Sequence, residues 1–464
     1  MERKPKMKKQ LFLIMTISFL ASQGFSQSAW DAVRIRQNET GFGARTLAMG
    51  GNGVAIGGDY SSIFWNPAGL ASLKHSEFLG EFSHLRFSNS ATFYNTLSNA
   101  DESYTRLRSL GLAFSFPTTR GSLVMALGYN FVRDFDEYLY FSGFNRMSNE
   151  LEFLLQDENG NYNWYGFDQN IHQEEEVTDN GGLHQWSFGG AVALSPNFDA
   201  GITLNFWNGK DNYNFSYYQE DVDNIYNIYP GDFHSYKLDQ SLITDYKAFS
   251  LKLGGMFKIN QAAQVGLALE TPTTFSVKEN YASSDELVFD DKYIDALEYE
   301  PSQWEYKVKT PYRFDAGIAF KGENINLTAA ATYQDWTQTR FEKPDFAVYD
   351  SSYNSLLNEN FVIQKKYRET INYHLGGELL FPNSNLIIRG GYAYYPSPLK
   401  DASPDFNKKV YSGGIGLKIG KNSVLDVTYL RGNWKRESED SYTPGGTFEE
   451  VTENKLLLGI RYQF

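Results

Sequence analysis

From His75 to the C-terminus, apolar and polar residues alternate in steps of two, the period of a β-strand whose two faces see different surroundings. The last ten residues show it best. Leu456, Leu458, Ile460, Tyr462 and Phe464 share one face, and Lys455, Leu457, Gly459, Arg461 and Gln463 share the other. The pattern predicts fourteen such strands. The first spans about Phe78–Thr96, the second Leu107–Phe116, the third Ser122–Phe135, the fourth Gln185–Leu194 and the fifth Asp199–Asn208. The sixth to ninth carry Phe249 to Phe257, Ala263 to Leu269, Tyr312 to Phe320 and Ile325 to Tyr333. The tenth to thirteenth carry Tyr373 to Phe381, Leu386 to Tyr394, Gly413 to Ile419 and Leu425 to Tyr429.

The connections alternate in length. Short turns are predicted near Pro117–Gly121, Ser195–Asn197, Ile259–Gln261, Gly322–Asn324, Phe381–Asn385 and Gly420–Lys421. Long polar loops are predicted over Arg133–His184, Asn208–Tyr246, Thr271–Thr310, Thr337–Thr370, Pro396–Lys408 and Gly432–Glu453. Short turns at one end and long loops at the other, with an even strand count, describe an all-β fold: a transmembrane antiparallel up-and-down β-barrel with its C-terminus on the periplasmic side. Trp336, Tyr333, Tyr394, Tyr395 and Trp434 lie at strand ends, where an interfacial aromatic girdle belongs. A soluble β-sandwich would also alternate. The leader, the aromatic ending and the loop asymmetry count against it.

Residues 1–26 have a different pattern. A basic stretch with Arg3, Lys4, Lys6, Lys8 and Lys9 precedes the apolar run Leu11 to Ala21 and a small, polar exit, the pattern of a cleavable secretory signal peptide, with the cut placed after Ser26 or Gln27. Its removal takes five basic residues and one acid, moving the net charge from −14 to −18, which disfavours nucleic acid as a partner. No other apolar run approaches the ~20 residues of a spanning helix. The chain has no Cys, so no disulfide framework is available.

Between leader and strands, residues 27–74 are rich in glycine and lack the period of two. Gly41 to Gly58 invites tight turns and close packing. Asp59 is positioned to cap a short helix running to Trp65, and Pro67 and Gly69 break regular structure after it. The stretch reads as a compact piece that needs a wall around it. The domain plan is therefore a signal peptide over 1–26, a hatch over 27–74 and a barrel over 75–464.

The run Gly43-Ala44-Arg45-Thr46-Leu47-Ala48-Met49-Gly50-Gly51, followed by Asp59-Tyr60-Ser61-Ser62-Ile63-Phe64-Trp65-Asn66-Pro67-Ala68-Gly69-Leu70, resembles the N-terminal hatch of the FadL/TodX outer-membrane transporters. Asn66-Pro67-Ala68 matches the hatch tripeptide of that family, and Thr310 to Arg313 and Leu386 to Pro398 are also similar. The resemblance implies a fourteen-stranded barrel plugged by its hatch. It implies passive uptake of long-chain fatty acids or aromatic hydrocarbons, and release by hatch movement through a sideways opening at an inward kink of the third strand.

Asn66, Pro67, Ala68 and Gly69 are expected to be the gate, or simply a rigid turn that packs the plug. Gly128, Tyr129 and Asn130 are the candidate kink. Arg389, Lys252, Arg313 and Lys418 have the lumen parity and are candidates to hold a ligand carboxylate; the competing reading is an internal network with Glu378, Asp315, Asp426 and Glu270. Asn149 to Leu155 is a short amphipathic helix candidate at the pocket mouth. No cofactor or metal is expected: six scattered His, and an acidic run from Asp285 to Glu300 without calcium-loop spacing, offer no ligand set. Lone His374 has no partner motif, so an enzyme is not expected. The expected partners are a hydrophobic small molecule, outer-membrane lipid and lipopolysaccharide, and the barrel assembly machinery acting on the Phe464 strand, with a monomeric barrel. A scaffold for a protein secretion system is the alternative function.

Overall fold

Lipid offers no partner to a backbone N–H or C=O, so a sheet crosses a bilayer only when its edges meet. Here they do. In the computed structural model, which describes residues 27–145 and 147–464, strand β1 (Glu77–Phe93) pairs antiparallel with the last strand β14 (Thr447–Gln463), from Glu77 opposite Gln463 to Phe93 opposite Thr447. The proposed signal peptide lies outside the described residues.

Between them run β2 (Thr96–Phe116), β3 (Leu123–Asp134), β4 (Ile171–Ser195), β5 (Phe198–Glu220), β6 (Phe233–Lys258) and β7 (Ala263–Glu270). Then come β8 (Arg313–Lys321), β9 (Ile325–Asp335), β10 (Glu369–Phe381), β11 (Leu386–Tyr395), β12 (Lys408–Ile419) and β13 (Ser423–Ser438). Each pairs with the next, giving a closed antiparallel barrel of fourteen strands. The faces follow the predicted parity. On β6, Phe249, Leu253 and Phe257 are about half exposed, at 50%, 43% and 53%, whereas Ser250 and Lys252 are buried. On β14, Leu456 to Phe464 point outward and Lys455 and Leu457 inward. All six short turns stand where they were expected.

The long loops differ from expectation. β5 runs on to Glu220 and β6 begins at Phe233, so most of Asn208–Tyr246 is strand. β4 starts at Ile171, and the Thr274–Phe289 and Ser302–Lys309 strands extend β7 and β8 upward as a paired sheet. On these extensions the outward residues are polar, such as Asn214, Ser216, Lys237 and Asp239, so the lipid-facing signal is missing, while Phe215, Tyr217, Tyr236 and Leu238 are buried inward. The expected helix over Asn149 to Leu155 is instead a hairpin: Glu152–Gln156 pairs with Tyr162–Gly166. Leu151, Phe153 and Leu155 are buried with Phe167, Phe233 and Tyr236, so the period there is two, and the hairpin packs as a roof on the extracellular end. The helix of this half of the molecule is Asn354–Lys366, inside what reads as a polar loop.

The N-terminal segment lies inside the wall. Helix α1 (Ala29–Arg34) is succeeded by α2 (Ala44–Ala48), α3 (Ser62–Trp65) and a 3-10 turn over Pro67–Ser72. Asp59 accepts from the backbone N–H and hydroxyl of Ser61, at 3.0 and 2.5 Å, just ahead of α3. Tyr60, fully buried, lies flat against β2 and β3, where Gly111 and Gly128 leave room for its ring. A Cβ at Gly111 would collide with that ring. Gly111→Ala is therefore expected to lower stability by about 1–3 kcal/mol, the usual cost of overpacking. It should also make the N-terminal segment sensitive to added protease while the barrel keeps its folded, heat-modifiable mobility on gels.

Candidate functional site

The N-terminal segment is held to the wall by backbone groups that meet polar side chains of the strands. Glu81 on β1 accepts from the N–H groups of Ala44 and Gly43, at 2.5 and 3.2 Å. Glu77 accepts from Tyr60 N–H at 2.8 Å. Thr428 on β13 donates to the Ala44 carbonyl at 2.7 Å, and Ser412 on β12 donates to the Ala48 carbonyl at 3.0 Å. His374 on β10 makes a 2.7 Å hydrogen bond to the Gly50 carbonyl, which occupies it structurally.

Asn66, Pro67, Ala68 and Gly69 lie together, buried, against β5 and β6. Asn66 donates to the carbonyls of Val54 and Gly255, at 2.7 and 3.1 Å, and accepts from Ala68 N–H at 3.1 Å. The wall is glycine where they touch it: a Cβ at Gly201 or Gly254 would run into Pro67, Ala68 or Asn66. The tetrapeptide is a tight turn fitted to a notch in the barrel.

The lumen charges are matched. Arg389 bridges Glu378 and Asp426, at 2.8 and 2.7 Å. Arg45 of α2 joins the same group through Glu378 (2.9 Å) and Asp59 (3.2 Å), and Arg461 joins through Asp426 (2.9 Å). Higher up, Arg313 binds Glu39 and Asp315, at 2.9 and 3.0 Å, Lys252 lies 3.3 Å from Asp315, and Arg36 binds Glu39 and Glu270. A buried ion left without a counter-charge costs several kcal/mol, so these groups hold one another and, through Arg36, Glu39, Arg45 and Asp59, hold the N-terminal segment. Lys418 is not part of either group: it has the lumen parity but is exposed beside the turn at Gly420.

Gly128, Tyr129 and Asn130 are paired on both sides, with Gly111, Leu110 and Ser109 on β2 and with Ser187, Trp186 and Gln185 on β4. The irregularity begins just beyond them. Pairing with β2 stops at Asn130, and the register with β4 shifts across Val132. The Val132 carbonyl instead accepts from Gly41 N–H of the N-terminal segment, at 2.9 Å. From Phe131 to Asp136 no residue is exposed, as expected of a strand bent into the lumen. Arg106 and Arg108 of β2 fill the side left open, pairing with Asp136 and Asp134, and Lys455 reaches Asp134 at 2.7 Å.

Above the N-terminal segment lies a chamber of about 830 Å³. Its floor is α1, with Trp30, Asp31 and Arg34 among the lining residues. Arg34 is tied to Asp179 and Asp211 of the wall. Glu279, on the strand extension above the membrane, accepts from Gln27 and Tyr306, each at 2.7 Å, and burial pushes its carboxyl up to about 7. Glu175, on the upper half of β4, is likewise raised, by burial first and then by the neighbouring Asp440 carboxylate.

The family model of the outer membrane protein transport proteins (OMPP1/FadL/TodX) matches residues 183–464. The chain belongs to this family. No curated protein matches the chain. Among solved structures it is similar to the Pseudomonas putida toluene transporter TodX: 12% identity over 92% of this chain and 99% of that one, with a TM-score of 0.59. It is also similar to a Pseudomonas aeruginosa FadL homologue, at 12% identity over 91% and 98% of the two chains and a TM-score of 0.56. For the Ralstonia pickettii toluene transporter TbuX the figures are 14%, 92% and 99%, and 0.54. These likenesses carry the fold. Membership in the FadL/TodX family places the barrel in the outer membrane and among transport channels.

Sequence reading of this FadL/TodX-family chain missed Glu39, Arg36 and Asp59 as partners of the wall, and missed the chamber acids Glu175 and Glu279. An inward strand parity with a charged residue is visible for Glu175 on β4, once β4 is known to extend that far. Arg389→Met removes the guanidinium between two buried carboxylates. With Arg45 and Arg461 still present, a loss of about 3 kcal/mol is expected in unfolding measurements, whereas Lys418→Met should change stability by less than about 0.5 kcal/mol.

Proposed function

We propose that the protein is a passive channel for apolar small molecules with an aromatic or short hydrocarbon body, and that residues 27–74 are its hatch. The observation that carries this reading is the chamber whose floor is the hatch helix α1, so that a molecule in the chamber rests on the element that must move. The walls bring Phe141, Phe215, Tyr246, Tyr306 and Trp434 to that space. At ~25 cal/mol per Å², a ligand that hides ~200 Å² of apolar surface gains roughly 5 kcal/mol on leaving water. An open wet pore offers no such gain.

The lumen cations count against a long-chain fatty acid. Arg389, Lys252 and Arg313 each already face a carboxylate, and a fatty acid headgroup would have to displace one. Release occurs when the gate turn Asn66–Gly69 and the ion pairs of Arg45 and Arg36 let go of the wall. Exit is sideways through the place where β3 leaves β2, with Gly128, Tyr129 and Asn130 as the last paired residues before it and Val132 at the bend.

Two tests separate the steps. An ideal Cβ at Gly459 lies 3.3 Å from Ala44 Cβ, near disulfide spacing, and the chain has no Cys of its own. The Ala44→Cys/Gly459→Cys pair should block toluene uptake by cells when oxidised and restore it on reduction. Uptake unchanged by oxidation would show that α2 need not move. Deleting Val132 should straighten β3 and cut uptake several-fold without loss of chamber binding. Unchanged uptake would place the exit elsewhere.

A further inference from the structure

The chamber lining carries nine carboxylate side chains against five cationic ones. Four of the five bases are already matched: Arg34 with Asp179 and Asp211, Arg436 with Glu137 and Glu449, Lys408 with Glu453, and Lys435 with Glu450. Of the nine, Glu175, Glu279, Glu437, Glu439 and Asp440 have no ion-pair partner among the described residues. Glu175 is almost wholly removed from solvent, its residual exposure being 4%, and it stands next to Asp440.

The donors at this pair do not suffice. The Thr443 hydroxyl lies 3.2 Å from a Glu175 oxygen and 3.0 Å from an Asp440 oxygen. A hydroxyl has one proton and can serve one of them at a time. Asp440 also receives the Tyr442 and Thr443 N–H groups, at 2.7 and 2.8 Å, so the shortfall falls on Glu175. Aromatic rings surround the pair: Tyr442 packs on Phe215 and Tyr217 with ring centroids 5.8 and 5.3 Å apart, and Tyr213 also lines the chamber. Two carboxylates short of a donor, walled by aromatic faces and opening on an apolar-bodied cavity, form a site for an ammonium group.

We propose that the molecule this channel prefers carries a positive charge: an alkyl- or arylalkylammonium whose N–H groups bridge Glu175 and Asp440 and whose apolar body lies along the chamber. This deepens the uptake reading and rests on it. Without the ammonium Glu175 holds its proton more tightly than an ordinary carboxyl, and the ammonium takes that proton's place. The groups that face Glu175 are Asp440, Thr443 and Glu449, with Tyr213 and Tyr217 beside it. None of them is a cation, and Arg436 of the lining is engaged by Glu449 and Glu137, so Glu175 stays protonated in acid. Ammonium binding therefore strengthens as pH rises from mildly acidic to mildly basic buffer.

The test uses the full-length protein in lipid nanodiscs, with Trp30 and Trp434 in the lining as fluorescent reporters. Three probes share one body: 3-phenylpropylammonium, 3-phenylpropanol and 3-phenylpropanoate. The ammonium is expected to bind about tenfold more tightly than the alcohol, and the carboxylate more weakly than either. Glu175→Gln should remove that advantage and its pH dependence. Binding of the alcohol without any preference for the ammonium, or tighter binding of the carboxylate, would overturn the assignment and leave the uptake reading standing. Failure of all three probes to bind would instead remove the apolar chamber on which both rest. Saturation by calcium ions with no response to the ammonium would show an inorganic cation site and also overturn it.

Discussion

A charge removed from water must meet an opposite charge, and this constraint governs the inside of the barrel as the alternation of strands governs its outside. The wall alone does not satisfy it. Arg313 on β8 needs Glu39, and Glu378 on β10 shares Arg45 with Asp59, so the barrel's inner face is completed by the N-terminal segment. The segment in turn carries backbone N–H and C=O groups that find their partners on the wall. Thr428, Ser412 and Glu81 complete its hydrogen bonds. Segment and wall are one folded unit, joined by these polar contacts and by an apolar core in which Tyr60, Ile63 and Leu70 meet Leu79, Ala126 and Ala191 of the strands.

The same constraint explains why the chamber has its chemistry. Below α1 the lumen cations Arg389, Arg313 and Lys252 are used in holding the structure together, which leaves little there for a ligand. Above α1 the sheet rises clear of the membrane, the wall is rich in Tyr and Asn, and carboxylates such as Glu175 and Glu279 stand without a counter-charge. The bend of β3 at Val132 lies beside Gly41, so this interrupted seam of the wall touches the element that would release it.

The membrane-crossing part of the fold was legible because lipid imposes a period of two on one face: Phe249, Leu253 and Phe257 could not be read otherwise. That signal ends at the membrane surface. The upper halves of β4, β5 and β6 carry no lipid-facing stripe and read as loop, although Phe215, Tyr217 and Tyr236 are buried inward, and the Glu152–Gln156 hairpin, with two adjacent leucines, passes for a helix. The helix at Asn354–Lys366 has only Leu356 and Ile363 buried, too few to show a stripe. The lumen parity of Arg389, Lys252 and Arg313 was readable, but their partners were less so, because Glu39 and Arg313 are 274 positions apart. The register shift of β3 lies at Val132, beyond the kink expected at Gly128–Asn130, since a glycine marks close approach as well as a kink; here Gly128 makes room for Tyr60.

Single-channel recording in a planar bilayer tests the central claim most directly. If residues 27–74 stopper the lumen through these ion pairs, the full-length protein should show no steady conductance, and a variant lacking the segment should conduct as a wide, stable pore. A large steady conductance from the intact protein, or a closed barrel after the segment is removed, would contradict it.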